Sequence, residues 1–156
     1  DRRSDCQRRV RHMTAQASMP MTGLDTNVLV RFLVQDDAAQ AKAALDLMAT
    51  FTEAAPGFIC REVLIELVWV LERAYALPRP DIARALDGLM EARELVIEAA
   101  DRAAVAVDRY RKGGPGFADQ MIALAGQGAE CQTTVTLDRK AAGLPGMSLL
   151  GAVSDH

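Results

Sequence analysis

Short β-type apolar runs alternate along this chain with stretches whose apolar residues recur every three or four positions. That alternation constrains the fold more than any single residue does. Neighbouring parallel strands need a long crossover, and an amphipathic helix supplies one, so the pattern predicts an α/β fold with a central, mainly parallel sheet. Met21 to Asp25 reads as a first short strand, and NVLVRFLV from Asn27 to Val34 as a helix. Asp36 and Asp37 can cap a second helix running to about Phe51, stopped by Pro56 and Gly57. Phe58 and Ile59 suit a brief strand before a long helix from Arg61 to about Leu77, ended by Pro78. A helix over Asp81 to Arg93, a strand over Leu95 to Ile97 and a helix from an Asp101 cap to about Arg111 follow. After the GGPG turn, Ala118 to Ala125 is helical, with Gly126 or Gly128 expected at its end. Cys131 to Leu137 is the clearest strand because of its β-branched residues, and Ser148 to Leu150 suits an edge strand.

With 156 residues the chain supports one core rather than two. Half its residues are hydrophobic and only 4% are aromatic, so Leu, Val, Ile, Ala and Met must fill that core. Residues 1 to 20 hold five Arg and two Asp, a charge of +3; with −3 for the whole chain, residues 21 to 156 carry −6. A broad phosphate-binding surface is therefore not indicated, and contact with nucleic acid should be local and salt-sensitive. Residues 1 to 20 show no helical or strand period and are read as a disordered or artefactual extension, with residues 21 to 156 as the domain and Met21 as a natural beginning. Three cysteines without CxxC spacing, Cys6, Cys60 and Cys131, indicate neither a disulfide framework nor a zinc site, and fit a reducing cytoplasm. No apolar run has the length of a membrane span.

Four acids stand where apolar segments begin, end or are interrupted: Asp25, Glu66, Asp119 and Asp138. In open parallel sheets ligands bind beyond the carboxyl ends of the strands, and Asp25 and Asp138 both occupy that edge. Were the first strand and the Cys131 strand neighbours, their carboxylates would be close. Glu66 shares a strip with Glu62 and Arg73 in the most hydrophobic helix, REVLIELVWVLERAY, walled by Val63 and Val70 on one side and Ile65 and Trp69 on the other. Each acid also has an ordinary explanation. A solvated strip accounts for Glu66, the helix dipole for Asp119, and turn formation for Asp25 and Asp138. As a set they argue differently, since two carboxylates about 4 Å apart repel by roughly 4 kcal/mol at an effective dielectric of 20. A cation would relieve that repulsion, and oxygen-only ligands select Mg²⁺ or Mn²⁺. The only histidines, His12 and His156, lie near the termini, which argues against a serine triad, a Cys-His pair or a His-ligated zinc. There is no GxxxxGK[ST] loop, and the glycines of GGPG and GQG follow helices and read as helix stops.

In this order, LDTNVLVRFL around Asp25, VLIELVWVL around Glu66, GFADQMIAL around Asp119 and TLDR around Asp138 resemble the PIN-domain ribonucleases. Within these, they resemble the toxin halves of VapBC-type toxin–antitoxin pairs. The similarity spans about residues 21 to 150 and implies an α/β/α sandwich whose acidic pocket holds Mg²⁺ or Mn²⁺. It implies Asp25, Glu66 and Asp119 as the principal metal-binding acids, Asp138 as the fourth catalytic acid, and Thr26 and Thr136 as supporting hydroxyls, with Asn27 also matching. The expected partners are an RNA substrate, a cognate VapB-type antitoxin and a second copy of the chain, with no membrane.

Two other readings use the same acids. A phosphatase of the haloacid-dehalogenase type needs DxDxT after the first strand, where this chain has Asp25-Thr26-Asn27 and lacks the second acid. A receiver domain needs an acidic pair near that strand, and Asp36 and Asp37 come a helix too late. A non-catalytic protein whose acidic pocket receives a partner's Arg is the third reading.

Overall fold

A computed structural model describes residues 20–151; the proposed extension, apart from Pro20, lies outside the described residues. Strand β1 (Thr22–Gly23) leads into α1 (Thr26–Val34) and α2 (Ala38–Ala49), then β2 (Gly57–Ile59), α3 (Arg61–Arg73) and α4 (Arg79–Glu91). Strand β3 (Leu95–Ile97), α5 (Ala100–Lys112), α6 (Phe117–Gly128), β4 (Thr134–Thr136), α7 (Arg139–Ala142) and β5 (Met147–Leu149) complete the order. The result is the α/β fold expected from the alternation, a parallel sheet flanked by helices, as an α/β/α arrangement requires.

The main sheet runs β1-β2-β3, all parallel, with Gly23 opposite Phe58 and Phe58 opposite Val96. Side chains alternate across the sheet, so Gly57, Ile59, Leu95 and Ile97 share its buried face, whereas Val96 on the other face is 39% exposed. Gly57 is required here because a Cβ would stand 2.8 Å from the Phe51 ring and 3.0 Å from Leu95. The core continues into the helices. Leu64, Leu67, Val68 and Leu71 of α3 are all buried, as are Leu29 and Val30 of α1 and Ile82, Ala83, Leu86 and Leu89 of α4. Each of these Leu, Val and Ile side chains contributes about 1.5–3 kcal/mol of burial free energy.

Several boundaries differ from expectation for identifiable reasons. Helix α3 stops at Arg73 rather than at Pro78, followed by Ala76 in the left-handed region at φ 50°. Asp101 does not cap α5. Ala99 takes the cap position with φ 53°, and Asp101 sits in the first turn, where it complements the helix dipole. Of the two glycines expected at the end of α6, Gly128 is its last residue, as expected, and Gly126 lies within it. A glycine is needed at 126 because a Cβ there would collide with the Thr134 hydroxyl, so this residue permits close approach between α6 and β4 rather than a helix stop.

The largest correction concerns the Cys131 strand. It forms only over Thr134–Thr136 and pairs in parallel with β5 in a separate two-stranded sheet, not with β1. β4, α7 and β5 form a local crossover unit in which Thr134 N–H donates to Gly146 O at 2.8 Å and Leu150 N–H to Thr136 O at 2.8 Å. Those bonds satisfy one edge of β4 over a short loop. Val135 (54%) and Leu137 (77%) remain exposed.

These burial differences set the expected mutational response. Leu67→Ala should cost about 2–5 kcal/mol in a urea unfolding titration, because Leu67 is 0% exposed. Leu137→Ala should shift stability by no more than about 0.5 kcal/mol.

Candidate active site

Amphipathicity places Glu66. With Leu64, Leu67, Val68 and Leu71 turned into the core, the opposite strip of α3 presents Glu62, Glu66, Trp69 and Arg73 to solvent. Asp119 enters from α6. Its helix starts at Phe117 after Gly116, without a side-chain cap, and an acid in that uncapped first turn is favoured by the helix dipole. Helices α3 and α6 pack together, so Glu66 and Asp119 line one cleft of about 590 Å³. Its apolar walls include Ile65, Val68, Trp69 and Phe117, and Glu62, Glu72 and Arg73 stand around it.

The loop entering α6 is held by a single guanidinium. Arg79 donates from Nη1 to the carbonyls of Tyr110 (3.2 Å) and Pro115 (3.4 Å) and from Nη2 to that of Gly114 (2.9 Å). The same group stands 4.7 Å from the centroid of the Tyr110 ring, a cation–π contact. Gly113 and Gly114, at φ 103° and 81°, make the turn possible. Tyr110 in turn packs edge-on against Phe117 at 6.0 Å and donates its hydroxyl to Glu72 Oε1 at 2.7 Å. The clamp thus ties α4, α5 and α3 to the segment that carries Asp119. Sequence reasoning assigned no role to Arg79, Tyr110 or Glu72, because the contacts join residues from different helices.

The other two acids occupy strand exits and act as helix caps. Asp25 follows β1, its Oδ1 accepting from Thr26 N–H at 2.8 Å. Asp138 follows β4, and its Oδ1 accepts from the backbone N–H groups of Lys140 (2.8 Å) and Ala141 (3.1 Å), starting α7. Neither lines the cleft of Glu66 and Asp119. Because β4 pairs with β5, Asp138 is not brought beside Asp25 through sheet pairing. A third acid, Glu98, follows β3 and accepts from Arg61 N–H at 3.1 Å, which satisfies one free donor at the start of α3. Its sequence signal, an acid directly after a strand, was the same as that of Asp25.

Among the described residues, no three Asp, Glu, His or Cys side chains stand close enough to hold one ion between them. The donors nonetheless suit a hard cation, since Mg²⁺ commonly uses one or two carboxylates and keeps several waters, and the cleft is lined by both acids, with oxygen ligands only. Among the described residues three buried polar side-chain atoms have no hydrogen-bond partner: Arg109 Nη1, Thr26 Oγ1 and Gln120 Oε1, the last two in residues that follow Asp25 and Asp119 in sequence. Such orphaned oxygens are costly unless something completes their coordination.

The PIN domain family model matches residues 24–145, which covers most of the chain. The chain belongs to the PIN-domain family. PIN domains are in general metal-dependent nucleases, which places hydrolysis of nucleic acid ahead of small phosphate esters. A comparison with curated proteins finds no match. Among the described residues of this PIN domain no helix is long and apolar enough to cross a membrane.

Burial, reinforced by the hydrogen bond to the Glu72 carboxylate, pushes the Tyr110 phenol well above its ordinary 10.0. The folded state therefore favours the protonated phenol. Its contribution is complete below pH 10 and is lost as pH rises, because the unfolded chain ionises first. Thermal melts of the wild type and of Tyr110→Phe should differ by a constant amount up to about pH 9, and the wild type's advantage should shrink above pH 10.

Proposed function

We propose that this PIN domain is a Mg²⁺-dependent endoribonuclease, with Mn²⁺ able to substitute, and that it is the toxin component of a VapBC-type toxin–antitoxin pair. The observation that carries the reading is that Glu66 and Asp119, from distant segments, line one cleft between α3 and α6. Membership of the family supplies the reaction class.

In this reading Glu66 and Asp119 hold the cation, and Asp25, which does not line their cleft, is the third metal-binding acid that the family resemblance implies. Asp138 is the fourth catalytic acid. Its Oδ1 is committed to the α7 cap, so Oδ2 is the oxygen left to orient water. The resemblance makes Thr26 a supporting hydroxyl; its Oγ1 is buried and makes no hydrogen bond here, while its backbone N–H donates to Asp25 Oδ1. When bound, the divalent ion supplies Lewis-acid activation of water and neutralises charge building on the scissile phosphate.

The same cleft, acidic at its rim and apolar in its walls, suits inhibition by a basic segment of a VapB-type antitoxin. We further propose that the domain acts as a homodimer. RNA cleavage by the free protein, suppressed by the product of a neighbouring small gene, would support the toxin assignment. A protein with an intact fold that is inert towards RNA would favour a purely receptive acidic pocket.

Asp119→Asn should reduce Mg²⁺-dependent RNA cleavage by at least about a hundredfold, with an unchanged far-UV circular dichroism spectrum. Wild-type activity in that variant would remove Asp119 from the site. Millimolar Mg²⁺ or Mn²⁺ should also raise the melting temperature of the wild type, and do so less for the variant, because only the folded state gathers the ligands. A melting temperature indifferent to both ions would count against the metal reading.

A further inference from the structure

Trp69 is the only tryptophan in the chain, and it is 59% exposed although its helix neighbours Leu67 and Val68 are almost completely buried. It lines the cleft of Glu66 and Asp119, one helical turn beyond Glu66. The Arg73 guanidinium stands 5.9 Å from its ring centroid, near enough to hold the indole by a cation–π contact. The surrounding charge is unfavourable for a polynucleotide. Even with a divalent ion offsetting Glu66 and Asp119, Glu62 and Glu72 remain in the lining, Arg73 is the one cationic side chain there, and residues 21 to 156 carry −6 overall. Ion pairing cannot supply most of the grip on an anionic strand here, so a contact indifferent to charge is needed. Stacking on an aromatic face is such a contact, and every base can make it.

We propose that Trp69 is a base-stacking platform, on which an unpaired base of the nucleic-acid substrate rests while Arg73 neutralises a flanking phosphate. The inference builds on the nuclease reading above and adds a substrate-contacting residue to it. Because a base within a duplex is already stacked on its neighbours, the platform selects single-stranded segments.

The sole tryptophan is its own reporter. In the Asp119→Asn protein with Mg²⁺ present, so that RNA stays whole, a ten-nucleotide single-stranded RNA should quench Trp69 fluorescence saturably, and a duplex of the same sequence should not. In the cleaving protein, Trp69→Ala should raise KM about tenfold, with the loss falling on KM rather than kcat, and Trp69→Phe should restore most of the difference. A KM for Trp69→Ala equal to the wild type's would overturn the proposal, as would equal quenching by the duplex. Quenching by an arginine-rich peptide but not by RNA would assign the indole to a protein partner and overturn it equally. Failure of the nuclease reading is separately visible: saturable quenching by single strands in a protein that never cleaves RNA would keep the platform and discard the catalysis.

Discussion

The two-sidedness of α3 is the constraint from which the rest of the structure follows. Leu64, Leu67, Val68 and Leu71 must leave water together, and at 3.6 residues per turn this leaves Glu62, Glu66, Trp69 and Arg73 no choice but the opposite side. The same helix thus packs against α1, α4 and α6 and presents an acid and an indole to the cleft. Core formation and site formation are one event here, because a rotation of α3 that buried Glu66 would expose a leucine.

The second determinant is the attachment of α6. An uncapped helix start after a glycine-rich turn would ordinarily be a loose element, yet Asp119 depends on it. Arg79 compensates by binding three carbonyls of the preceding segment and stacking on Tyr110, while Tyr110 reaches across to Glu72 on α3. A planar guanidinium suits this work better than an ammonium, since its donors are held in a fixed fork. The two helices that wall the cleft are therefore linked by a polar network, not only by apolar packing.

The acids divide by the kind of work their surroundings already give them. Asp138 spends one oxygen on the cap of α7 and Glu98 one on the start of α3, both stabilising helix ends at the carboxyl edges of strands. Glu66 and Asp119 are directed into a shared cleft. A single acid next to a strand or in a first helical turn is thus ambiguous in sequence, and the division became visible only through the partners each carboxylate has.

Periodicity by itself determined the order of strands and helices, the parallel α/β character, β3 at Leu95–Ile97 and the apolar faces of α3 and α4, because these follow from local spacing and from the need to bury one face of each element. Blocks of residues around the four acids also carried the family resemblance. Tertiary structure alone decided that β4 pairs with β5 instead of β1, that Gly126 serves a close helix–strand approach, that Arg79 clamps the α6 entry and that Glu66 and Asp119 line one cleft. The physical reason is the same in each case: hydrogen-bond edges, steric clearance and shared clefts are properties of pairs of distant segments, and no local spacing encodes which pair will form.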